Sequence, residues 1–83
     1  MYIKGTTFTA NFYNGKNLAN DIVPKWEIKC NFMDDLKIVK DNNKVIISLD
    51  NDDLIGQYLT LILADTEGNY TADEILLEVV GLF

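Results

Sequence analysis

From Lys25 to Cys30 the chain reads Lys-Trp-Glu-Ile-Lys-Cys. Trp26, Ile28 and Cys30 alternate strictly with Lys25, Glu27 and Lys29. Side chains of a β-strand point to opposite faces with a period of two, so this run predicts a half-buried strand with its charges facing water. Pro24 stands at its start, where a missing N–H does least harm to a ladder. The same period recurs where Phe8, Ala10 and Phe12 alternate with Thr7, Thr9, Asn11 and Tyr13, and again where Val45, Ile47 and Leu49 share one face. Asn14-Gly15 breaks the first of these runs, and Asn14 to Asp21 reads as a polar loop. Asp34-Asp35 and Asp41-Asn42-Asn43 bracket a further short stretch, Leu36 to Val39.

Residues 57–80 are harder to assign. Leu59, Leu61 and Leu63 alternate with Tyr58, Thr60 and Ile62, as a strand requires. Yet Leu54, Ile55, Tyr58, Leu59 and Ile62 also fit helical spacing, and Thr71-Ala72-Asp73-Glu74 has the form of a capping box. Two arguments favour a hairpin. Gly56 weakens a helix that begins before it, and the strands upstream need further strands to cover their inner faces. Asp65-Thr66-Glu67-Gly68-Asn69 then serves as a five-residue connection, within the range of hairpin loops. The whole reads as six or so strands of four to eight residues separated by turns, an all-β sandwich in a single domain spanning 1–83.

Composition narrows the function. The net charge is −6, all seven basic residues are lysines, and none follows Lys44. A phosphate backbone is held by a basic surface, with arginine forks for bidentate contacts, so nucleic acid is not expected as a partner. No signal peptide is legible at Met1-Tyr2-Ile3-Lys4, and the uncharged window around Leu54 to Ala64 is too short to span a bilayer, so membrane insertion is not expected. Either the protein is made without a signal or the chain is a piece of a longer one. The lone cysteine, Cys30, has no internal disulfide partner, and alternation predicts a buried, inert thiol.

Three features, in order, resemble bacterial and phage immunoglobulin-like domains. Trp26 lies mid-strand in "VPKWEIKC", as does the core tryptophan of strand C in such sandwiches. "DLIGQYLTL" (Asp53 to Leu61) is similar to the corner that leads into strand F, with Tyr58 standing as the tyrosine-corner residue whose hydroxyl bonds back to the backbone. "LILADTEGNYTADEILLEVV" resembles the final F–G hairpin. The resemblance implies an immunoglobulin-like antiparallel β-sandwich of six to seven strands. The antibody-type cysteine pair is missing: Thr60 stands where its second member would fall, and Cys30 is on another strand. Domains of this kind occur on phage virion and tail proteins and on bacterial surface proteins. The implied function is therefore a structural or interaction module of a phage particle, acting in adhesion or assembly. The alternative is a bacterial cell-surface binding domain cut from a longer chain. Expected partners are other virion or surface proteins, a second copy of the chain, or cell-surface carbohydrate.

Catalysis is not expected. The chain has no histidine, so it lacks the usual general base, and its one serine, Ser48, sits in a predicted strand. No cofactor is expected, and one thiol without imidazole cannot supply a zinc site. Carboxylates are plentiful. Asp50, Asp52 and Asp53, and Asp65 with Glu67 and Asn69, form oxygen-rich runs that suit calcium chemically, although aspartate and asparagine are also ordinary turn residues. The turn reading is preferred. As contact residues, Tyr2, Tyr13 and Tyr70 are the candidates, because tyrosine offers large contact area at low entropic cost. The competing reading makes each a partly buried residue at a strand end.

Overall fold

The computed structural model describes residues 1–41 and 43–81. The strands run in chain order as β1 (Tyr2–Ile3), β2 (Thr7–Asn14), β3 (Asn17–Leu18), β4 (Trp26–Cys30), β5 (Leu36–Asp41), β6 (Lys44–Leu49), β7 (Tyr58–Asp65), β8 (Thr71–Ala72) and β9 (Glu74–Val80). Six of them are five to eight residues long, and the other three are two-residue segments. Single 3-10 turns at Met33–Asp35 and Asp52–Leu54 are the only helical pieces among the described residues. No helix among those residues is long and apolar enough to cross a membrane.

The strands form two sheets. One has the order β1-β9-β7-β4, and the other the order β3-β2-β6-β5 with β8 also paired to β2. All pairings are antiparallel except that of β1 with β9. The inner faces meet in one core, built from Ala10 and Phe12 of β2, Val45, Ile47 and Leu49 of β6, Leu59, Leu61 and Leu63 of β7, and Val79 of β9. Each of these is a position that the period-two pattern turns inward. Burying a leucine or isoleucine side chain contributes about 1.5–3 kcal/mol, so the three leucines of β7 are a main anchor of the sandwich.

Strand β4 follows its alternation residue by residue. Trp26, Ile28 and Cys30 pack against the core, while Glu27 and Lys29 are exposed. Cys30 is half-buried rather than fully buried, and burial raises its thiol pKa above the ordinary value. Downstream, the stretch expected from Leu36 to Val39 continues to Asp41 and pairs with β6 along its whole length. Of the turn that joins β5 to β6, Asn42 lies outside the described residues. Part of the expected loop at 14–21 is structured: Gly15, at a φ of 64°, allows a two-residue reversal that pairs Asn14 with Asn17.

The hairpin at 57–80 forms, with β7 and β9 paired from Tyr58↔Glu78 to Ile62↔Glu74. Its connection is longer than the five residues expected. After Asp65 the chain crosses to the other sheet, where Thr71 and Ala72 pair with Tyr13 and Phe12, and then returns. Asp73 is the hinge of that return. Its N–H donates to the Asn11 carbonyl at 3.1 Å, and its own carbonyl accepts from Leu63 N–H at 3.1 Å. Its carboxylate accepts the Asn11 N–H at 2.8 Å. Thr71 to Glu74 is thus a sheet-to-sheet bridge and not a helix start, held by the main-chain bonds of Asp73 and by its carboxylate on a β2 amide.

Candidate interaction surface

The acidic runs proposed for calcium are engaged by the chain itself. Lys4 Nζ hydrogen-bonds the Asp52 carboxylate and lies 3.4 Å from Asp50 Oδ1, so a lysine ammonium occupies the position between them. Those carboxylates in turn raise the Lys4 pKa, with the Asp52 hydrogen bond as the largest cause. Asp53 is exposed in the 3-10 turn that follows, where its N–H donates to Asn51 Oδ1 at 3.0 Å. Asp65 organises its loop. One carboxylate oxygen accepts Glu67 N–H at 3.0 Å, and the other accepts Asn69 N–H at 2.9 Å and Tyr70 N–H at 3.0 Å. Aspartate here supplies turn chemistry, binding the backbone just ahead of it. Among the described residues, no group of three or more acidic or thiol side chains is arranged to hold a metal ion.

The three tyrosines do not form a common surface. Tyr2 is 3% exposed and belongs to the core, which corrects the expectation that it is a contact residue. Its ring packs edge-on against Phe8, with centroids 5.2 Å apart. Its hydroxyl accepts Leu49 N–H at 2.9 Å and donates to the Thr6 carbonyl 2.6 Å away. Tyr13 and Tyr70 are half-buried at strand and loop ends. Hydrogen bonding to the Asp73 carboxylate, and then burial, raise the Tyr13 phenol pKa. The Tyr70 hydroxyl donates to Asp21 Oδ2 at 3.2 Å, and its pKa is raised by burial first and by Asp21 second.

Tyr58 does not make the corner that the resemblance implies. It is 57% exposed at the start of β7, on the outer face of the sheet. The tyrosine whose hydroxyl bonds back to the backbone is Tyr2, from the opposite end of the chain. The two residues before Tyr58 make the corner by main-chain bonds alone. Gly56, at a φ of 88°, donates to the Val79 carbonyl at 2.8 Å, and the Gln57 carbonyl accepts Val79 N–H at 2.9 Å.

Freed from the corner, Tyr58 joins a surface that the outward positions of the hairpin create. Ile62 and Leu76 are exposed on the same outer face, Leu76 at 67%. Thr60 pairs with Leu76, so Leu76 is the diagonal neighbour of both Tyr58 and Ile62, at a typical spacing of about 7–8 Å. The three make a short apolar stripe across β7 and β9. Charges flank it: Glu78 lies opposite Tyr58, Glu74 opposite Ile62 on one side, and Lys29 opposite Ile62 on the other, with Glu27 next along β4. The stripe was visible in the sequence as Ile62 and Leu76 standing at positions where a two-faced strand ordinarily carries polar residues.

Comparison of the chain with protein-family models, with curated proteins and with solved structures finds no match.

Proposed function

We propose that this chain is a non-enzymatic structural or interaction module with an immunoglobulin-like arrangement, of the kind carried by phage virion and tail proteins, and that it binds through the outer face of its four-stranded sheet. The strand order supports the arrangement. In an immunoglobulin-like sandwich strands C, F and G form one sheet and B, E and D the other. Here β4, β7 and β9 stand together, as do β2, β6 and β5, and β1 joins the edge of β9. Adhesion or assembly on a particle follows from the resemblance of "VPKWEIKC" and the final hairpin to such domains.

The observation that carries the interaction reading is the exposed stripe of Tyr58, Ile62 and Leu76 within a charged border. An apolar centre ringed by polar groups is the anatomy of a protein contact surface. Catalysis has little to draw on: the chain has no histidine, Ser48 is half-buried in β6, and the Cys30 thiol is held in its protonated form. The test is to recover the particle encoded with this gene and determine its protein content by mass spectrometry. The chain is expected in purified particles, and Leu76→Asp is expected to deplete it while leaving its own folding unchanged. Particles that lack the chain, or that retain Leu76→Asp at full copy number, would overturn the reading.

A further inference from the structure

Strand β4 ends the four-stranded sheet, and among the described residues its outer edge is free. Its bonds to β7 set which backbone groups face which way. Lys25 O accepts Thr66 N–H at 3.0 Å and Asn31 N–H donates to Thr60 O, so the odd-numbered residues from 25 to 31 direct their N–H and C=O toward β7. In an antiparallel ladder these groups alternate in direction along the strand. The N–H and C=O of Trp26, Ile28 and Cys30 therefore point away from the sheet, and among the described residues no strand pairs with them.

The inner side chains of β4 are incompletely covered as well. Trp26, Ile28 and Cys30 are half-buried, whereas Leu61 and Leu63, which they adjoin on β7, are 0% and 2% exposed. Other edges are blunted. β1 and β8 are two residues long, as is β3. β5 turns Lys40 inward, its Nζ 3.4 Å from the Val23 carbonyl, 5.7 Å from the centre of the Phe12 ring and 5.8 Å from that of Trp26, so it reaches the start of β4 but not Ile28. An inward lysine is a common guard against edge pairing. The inward residues of β4 are all apolar.

We infer that β4 pairs antiparallel with β4 of a second copy of this chain, centred on Ile28, joining two four-stranded sheets into one. The charge pattern selects that register. With Ile28 opposite its own counterpart, the outward backbone groups of residues 26, 28 and 30 exchange hydrogen bonds with those of the partner strand. Glu27 then faces the partner's Lys29, and Lys29 faces the partner's Glu27. These fall at non-hydrogen-bonded pairs, where opposed side chains come closest. Sliding the strands by two residues one way sets Glu27 against the partner's Glu27; sliding them the other way sets Lys29 against the partner's Lys29. Like charges directly opposite are destabilising, so the sequence favours one register and penalises its neighbours. Both side chains are exposed, and neither makes an ion pair with the described residues. This inference deepens the interaction-module reading by naming one partner, and it leaves the outer stripe free for others.

Charge reversal tests it on the intact chain. Analytical ultracentrifugation over a wide concentration range is expected to give a monomer–dimer equilibrium for the parent chain at low salt. Glu27→Lys and Lys29→Glu each place like charges opposite one another twice, and each is expected to weaken self-association roughly tenfold. Mixing the two variants restores opposite pairs, as does combining both reversals in one chain, and dimer formation is expected to recover in both cases. A parent chain that stays monomeric at millimolar concentration overturns the inference. So does a dimer indifferent to both single reversals, or one that neither the mixture nor the double reversal restores. None of these outcomes bears on whether particles retain the chain through Leu76, so the two readings fail separately.

Discussion

Tyr2 and Asp65 each hold a stretch of backbone with one side chain, and they do so in different surroundings. Tyr2 reaches from the first strand to the last residue of β6, so its hydroxyl satisfies the Leu49 N–H inside the core. Removing that oxygen leaves a buried donor without a partner, at a cost of about 1–3 kcal/mol. Tyr2→Phe is expected to lower stability by that amount in urea titration with an unchanged m-value; a loss below a few tenths would contradict this role. The sequence hid the role of Tyr2 because a tyrosine one residue from the start of the chain, in a run too short to show a period, carries no local sign of long-range packing. Asp65 was legible. An aspartate followed by Gly68-Asn69 between apolar runs predicts side chain-to-backbone turn bonds, and three such bonds form.

Among the elements, β4 and β6 were the most readable, because every second residue is apolar and the alternation continues to their ends. The β7–β9 hairpin was less so, since Leu59, Leu61 and Leu63 fit a strand while Leu54, Ile55, Tyr58, Leu59 and Ile62 fit a helix, and only Gly56 and the need to cover the upstream strands decided between them. The crossing at β8 could not be read at all. Two residues paired across sheets leave no periodic signal, and Thr71 to Glu74 carries the pattern of a helix start. The outer stripe was present in the alternation at Ile62 and Leu76, but without the pairing of β7 with β9 nothing brings the two residues together on one face. Asp73 gives the crossing a testable anchor. Asp73→Ala removes the acceptor of Asn11 N–H while keeping both main-chain bonds at residue 73. It is expected to cost about 1 kcal/mol, to speed amide exchange at Asn11, and to return the Tyr13 pKa toward its ordinary value in a spectrophotometric titration. A Tyr13 titration unchanged by the substitution would remove the link between the two residues.

For the molecule as a whole, the shifted groups act in one direction with pH. Cys30, Tyr13 and Tyr70 have raised pKa values, the first and last through burial foremost and Tyr13 through Asp73, and Lys4 is raised by Asp52. In each case the unfolded chain releases its proton at lower pH than the folded one. The folded state then binds more protons, so stability falls as pH rises. The contribution is fully present below the unfolded pKa values and is lost as the pH passes from about 9 upward through the folded ones. Melting temperature is expected to decline above about pH 9; a midpoint that held steady or rose there would contradict the assignment.

Residues 57–80 form a two-faced hairpin, one face core and the other an open apolar surface. Methyl relaxation by a soluble paramagnetic probe reads both faces in one spectrum, at a concentration low enough to keep the chain monomeric. The methyls of Ile62 and Leu76 are expected to relax strongly while those of Leu59, Leu61 and Leu63 are spared, as their burial requires. A helical pattern, with Leu59 and Ile62 protected together and Leu61 exposed, would rule the hairpin out.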